Sequence, residues 1–153
     1  MRKQFNFSQV ARFVVLSSLL SGSASVVSAQ GAPQPPKVWA FEDLKWEHDK
    51  TLTAVQSVVL WGDPKTGEHA MLRRFPAGYA PPPHKHPATE RVVVVAGTIL
   101  VRYAGSAEQA LGAGSYSEIP AGVEHAVKCA DGAECIFLLI SPGSFAILPI
   151  PSK

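Results

Sequence analysis

Two histidines, His84 and His86, stand two residues apart in the stretch Gly78-Tyr79-Ala80-Pro81-Pro82-Pro83-His84-Lys85-His86-Pro87-Ala88-Thr89-Glu90. On an extended chain, side chains two apart point the same way, with alpha carbons roughly 6.6 Å apart. Both imidazoles can then reach one metal ion, each at about 2.0–2.1 Å. Glu90 lies four residues beyond His86. A straight strand would carry it roughly 13 Å further, so it joins the same ion only if the chain turns. Pro87, with its fixed φ and missing donor, occupies that gap. His125 follows the turn signal Pro120-Ala121-Gly122 and offers a third imidazole. Three imidazoles and a carboxylate suit a single divalent ion of Fe, Mn, Ni, Cu or Zn. An octahedral ion so held keeps two places for water, oxygen or substrate, as a catalytic site requires.

The other groups able to do chemistry are less well placed. His48 and His69 lie apart from both stretches and read as solvated or hydrogen-bonded side chains. Glu118 and Glu134 read as surface charges, and Glu124, next to His125, points to the opposite face. Either Arg73 or Arg74 can face inward to bind an anion, but alternation allows only one; the reading preferred is that both face solvent. Cys129 and Cys135 flank an Asp-Gly hairpin loop centred on Gly132, which sets them opposite each other. They pair as a disulfide, remain as buried thiols, or bring a thiol near the metal.

The two stretches together resemble the cupin family. Its first motif, G-x5-H-x-H-x3-E-x6-G, is met by Gly78, His84, His86, Glu90 and Gly97. Its second, G-x5-P-x-G-x2-H-x3-N, is met by Gly114, Pro120, Gly122 and His125, with Cys129 in place of the final Asn. Sixteen residues separate the motifs, as in short microbial members. The resemblance implies an all-β fold, a single cupin jelly-roll barrel, with a metal held at one end by His84, His86, Glu90 and His125. It also implies a small-molecule substrate or ligand. Dioxygenase-type oxidation by an exported metalloenzyme is the function preferred; a non-catalytic binding or sensing module is the alternative. A dry pocket with an ordered Tyr or Arg beside the metal favours the enzyme. A metal capped on all sides by protein favours the module.

The elements that must position these groups are short strands. Thr53–Trp61, which is apolar and β-branched, and Ala70–Phe75, Val92–Val95, Thr98–Tyr103, Ser115–Ile119, His125–Cys129 and Ile136–Ile140 read as short strands separated by Gly and Pro turns. Gly105–Gly114 reads as a connection. Val92 and Val94 share the parity of Glu90 and should line the cavity, with Phe75, Tyr79, Tyr103 and Phe137 as further wall candidates. Such a wall suits a small, partly apolar or aromatic ligand. The Val92–Val95 and Ile136–Ile140 runs are apolar on both alternating faces. Their outer face therefore needs a cover; a second copy of the chain supplies it most simply, so a homodimer is expected, the alternative being the N-terminal segment or the tail Phe145–Pro151. Trp39, Phe41, Leu44 and Trp46 are expected to pack into the core.

The remaining N-terminal sequence reads as a secretory signal over residues 1–29. Arg2, Lys3 and Arg12 are its basic region, Phe13 to Leu20 its apolar run and Val27-Ser28-Ala29 its cleavage site. Residues 30–37 form a Pro-rich lead-in and 38–153 the single domain. The apolar run is shorter than the ~20 residues a bilayer span needs, so no membrane span is expected after cleavage, and the protein is periplasmic or secreted. Three of the 14 basic residues and none of the 12 acidic ones fall in the signal, leaving a mature chain with one net negative charge. With no basic run beyond Arg73-Arg74, nucleic-acid binding is not expected.

Overall fold

A computed structural model describes residues 35–150. The expected signal segment, residues 1–29, lies outside them. Chain contacts divide the molecule into Met1–Lys37 and Val38–Lys153. Residues 35–37 are exposed and without regular structure. Among its described residues the second unit carries one 3-10 turn, Phe41–Asp43, and the strands β1 Glu47–His48, β2 Gln56–Gly62, β3 His69–Phe75, β4 His84–Lys85, β5 Glu90–Ala96, β6 Thr98–Tyr103, β7 Gln109–Gly112, β8 Tyr116–Ile119, β9 His125–Cys129, β10 Cys135–Ser141 and β11 Leu148–Pro149.

These strands form two antiparallel sheets, ordered β1-β2-β3-β10-β5-β8 and β11-β4-β9-β6-β7. They face each other as the two halves of a jelly roll, the all-β architecture expected. Burial alternates with the pleat. On β3 Met71, Arg73 and Phe75 are buried, on β5 Glu90, Val92 and Val94, on β10 Phe137 and Leu139. Their inner faces meet Ile99 and Val101 of β6 across the core. Phe75 sits edge-on to both Phe137 and Tyr79, with ring centroids 5.1 and 5.3 Å away. Such pairs add about 0.5–1.5 kcal/mol each beyond the area they bury.

Two motif glycines answer local geometry. Gly97 turns β5 into β6 at φ 74°, and a Cβ there would collide with the backbone carbonyl of Glu134. Gly78 has φ 74° and faces the Asp131 carboxylate. L-residues with a Cβ rarely adopt that conformation. The adjoining hairpin joins β9 to β10, and Cys129 and Cys135 are bonded across it, both fully buried. By closing so short a loop the bond pins the hairpin that follows His125, contributing about 2 kcal/mol in the chain-entropy picture.

Several expectations are corrected. The second strand starts at Gln56, because Thr53 and Ala54 belong to the turn that brings Val55 N–H to the Leu52 carbonyl at 2.7 Å. Gln109–Gly112, read as connection, is a strand on the edge of the smaller sheet; pairing with β6, not its own composition, makes it one. Trp39 and Phe41 do not enter the core; they are about half exposed. Trp46 lies outside the barrel, beneath the Arg74 guanidinium at 4.1 Å.

Candidate metal centre

The turn required between His86 and Glu90 is present. β4 ends at Lys85, β5 begins at Glu90, and the His86 carbonyl accepts the Gly122 N–H at 2.9 Å. His84 pairs directly with His125 across β4 and β9. The three imidazoles, from two distant stretches, are buried and converge, with one nitrogen of each within 4.8 Å of the others.

Each ring is oriented by its other edge. Nδ1–H of His84 donates to the Pro82 carbonyl (2.7 Å), that of His86 to Ala146 (2.7 Å) and that of His125 to Val123 (3.0 Å). A ring that donates through Nδ1 carries a free lone pair on Nε2. All three rings are thus set as neutral acceptors by backbone carbonyls, the pattern by which metal-binding imidazoles are oriented.

Glu90 lies on the flank of this trio. Its Oε1 is 3.3 Å from Nδ1 of His86. That Nδ1–H already serves Ala146, so Oε1 stays buried with no hydrogen-bond partner. Three imidazole lone pairs converge with no protein donor among them, and this donor set fits a divalent metal, with the Glu90 carboxylate on the outer edge of His86.

Burial dominates the protonation of the site. It holds His84 and His125 below the usual imidazole range and takes His86 down to about 3, with the two neighbouring rings adding to the effect. Burial pushes Glu90 up to about 8, against the pull of Arg73.

Beside the trio lies a cavity of about 60 Å³ walled by Phe75, Val92, Val94, Ile99, Val101, Phe137 and Leu139. That is under half of the ~150 Å³ apolar cavity that accepts benzene. Of the wall candidates, Phe75, Val92, Val94 and Phe137 are on it. Tyr79 and Tyr103 are not among the lining residues. Tyr79 stands behind Phe75, and Tyr103, at the end of β6, is tied through its hydroxyl to Ser117 Oγ at 2.7 Å.

Three features escaped the sequence reading. Arg73 does not face solvent: it is 3% exposed, lines the cavity and contacts Asp49 at 3.3 Å. Its parity with Phe75, already a wall candidate, was the available signal. Phe145 lies on His86, with centroids 5.2 Å apart, and under the Arg73 guanidinium at 4.8 Å. The segment after β10 thereby closes the site. No periodicity marks such a fold-back, and nothing in the sequence pointed to it. Asp49, from the turn before β2, was likewise unmarked.

Fold, motif spacing and site together define a cupin. Residues 38–152 match the family described as "Domain of unknown function (DUF4437)", and the chain belongs to it. No curated protein matches significantly. Among solved structures, the chain is similar to the polyketide cyclase RemF from Streptomyces resistomycificus, at 18% identity and TM-score 0.66, over 78% of this chain and 88% of that one. An RmlC-like cupin from Ralstonia eutropha JMP134 gives 25% identity and TM-score 0.63, over 78% and 76%. The DMSP lyase DddQ from Ruegeria pomeroyi DSS-3 gives 23% and 0.56, over 65% of this chain and 56% of the lyase.

Proposed function

We propose that this protein is an exported, mononuclear metal-dependent cupin enzyme that oxidises a small organic molecule with oxygen. The observation that carries the reading is the common tautomer of His84, His86 and His125: three buried acceptor nitrogens aimed at one another with no donor among them. His84, His86 and His125 would hold the ion, with Glu90 beside them. When bound, the ion would act as a Lewis acid and hold two reactants together. The chain's own contribution is to exclude water with the apolar wall and the Phe145 cover, and to keep the three rings in one tautomer.

The apolar cavity and the buried Arg73 in its wall support the enzyme over a binding or sensing module. Two of the similar structures are enzymes by name, a cyclase and a lyase. Export is supported by the residue 1–29 pattern and by the bonded cysteine pair, a bond that persists in oxidising compartments. The described residues contain no helix long and apolar enough to cross a membrane. A homodimer is supported by the outer face of the larger sheet. Val95, Trp61 and Tyr116 are about half exposed there, and Phe145 and Ile147 of the C-terminal segment turn instead to the cavity.

The test is metal analysis of protein purified from the exported compartment, followed by oxygen uptake with small phenols and diketones. Uptake by the metal-loaded protein that stops on chelation is expected. Metal-loaded protein that binds such compounds but consumes no oxygen would favour the module.

A further inference from the structure

Arg73 is 3% exposed, yet its hydrogen bonding is nearly empty. A guanidinium has five N–H donors. Here one, on Nη2, reaches Asp49 Oδ2 at a long 3.3 Å, and Nε is buried with no partner. Buried arginines that serve only the fold have their donors satisfied, because an unpaired buried charge is costly. The guanidinium lies over the Phe145 ring at 4.8 Å and within 5.7 Å of Phe75.

Its position adds a second observation. Arg73, Phe145 and Ile147 line both the inner cavity and an outer cleft of about 730 Å³. Arg73 therefore stands in the wall that separates the outer cleft from the histidine trio. Asp49, its present partner, is anchored from outside: Oδ1 accepts Thr51 N–H at 2.8 Å and Leu52 N–H at 2.9 Å. The Asp49 carboxylate thus engages Nη2 alone and leaves Nε buried without an acceptor.

We propose that Arg73 is the recognition group for a small carboxylate substrate, which docks beside the histidine trio on the guanidinium donors that Asp49 leaves unpaired. This names the substrate class and rests on the metal-site reading above. A planar carboxylate matches the guanidinium fork through two parallel hydrogen bonds. It supplies the acceptor Nε lacks and sits within reach of the trio in a cavity too small for a bulky acid. Among the described residues the other carboxylate that acts on Arg73 is Glu90, on the flank of the trio.

The probes are acetate, its neutral counterpart acetamide, and inorganic phosphate, titrated calorimetrically into zinc-loaded and metal-free protein. Acetate is expected to bind roughly ten- to a hundredfold more tightly than acetamide, the worth of hydrogen bonds to a charged group. Phosphate should be weaker than acetate. Arg73→Gln should lose that preference while zinc stoichiometry is unchanged. Asp49→Asn, an isosteric change that removes the competing carboxylate but keeps an oxygen for Thr51 and Leu52 N–H, should bind acetate more tightly, and it decides the matter should Arg73→Gln not fold. Acetate and acetamide binding alike, phosphate binding more tightly, or either variant leaving acetate affinity unchanged overturns the proposal. Loss of zinc binding with Arg73-dependent acetate binding retained overturns the metal reading alone.

Discussion

The Nδ1–H of His86 donates to the carbonyl of Ala146, 2.7 Å away and sixty residues further along the chain. The C-terminal segment is therefore part of the site. It fixes the tautomer of one imidazole and, one residue earlier, lays Phe145 over that ring and over Arg73. Phe145→Ala keeps the three imidazoles but removes their cover. Transfer of bound zinc to a chelator should accelerate by ~10–100-fold, the usual scale when the shell around a metal is disturbed. Stopped-flow with a chromogenic chelator measures it; an unchanged rate would mean the ring does not gate access.

His125→Ala removes the only imidazole supplied from outside the first motif. Zinc affinity should fall by more than ~100-fold, beyond the range seen for second-shell changes. The barrel should stay folded, since His125 contributes no apolar packing to the cluster around Phe75 and Val94. Competition titration gives the affinity and far-UV circular dichroism the fold. Unchanged zinc affinity would remove His125 from the site.

The metal-free protein should show a stability optimum near neutrality. The three imidazoles have folded pKa values below the unfolded value of about 6.5, His86 at about 3. As pH falls below that unfolded value, the unfolded chain takes up protons first and stability drops. Glu90 runs the other way, raised to about 8. Its contribution is complete below the unfolded value of about 4.3 and is lost as pH climbs through 8. Three groups oppose one in acid, and Glu90 acts alone above neutrality. The melting temperature should fall steeply below pH ~6 and gently towards pH ~8.5. Saturating zinc, by favouring the Glu90 carboxylate, should remove the alkaline decline. A flat profile across this range would contradict the buried, neutral state assigned to these rings.

The outer face of the larger sheet carries the dimer proposal. Val95 is 48% exposed on that face, next to Val93. Val95→Glu should convert a dimer to a folded monomer, read by light scattering behind size exclusion. Wild-type protein that is monomeric at micromolar concentration would end the proposal.

Much of this architecture was readable from spacing. The interval from His84 to His86 set two rings on one side of an extended segment, and Pro87 marked the turn that returns Glu90 to them. Parity from Glu90 placed Val92 and Val94 on the cavity wall. Arg73 faces inward, as its parity with Phe75 dictates, and not to solvent as expected, because that expectation weighed charge above alternation. β7 was hidden because Gln109–Gly112 has no β-branched residue, and its strand geometry comes from pairing with β6. Phe145 and Asp49 reach the site through loops, where position depends on packing formed only after the sheets close.

The most direct test is X-ray absorption at the metal edge together with elemental analysis of the same sample. One first-row transition-metal ion per chain, with three imidazole nitrogens in its inner shell, is the expected result. A protein carrying no ion after incubation with excess zinc, or one whose bound ion lacks imidazole ligands, would contradict the account at its root.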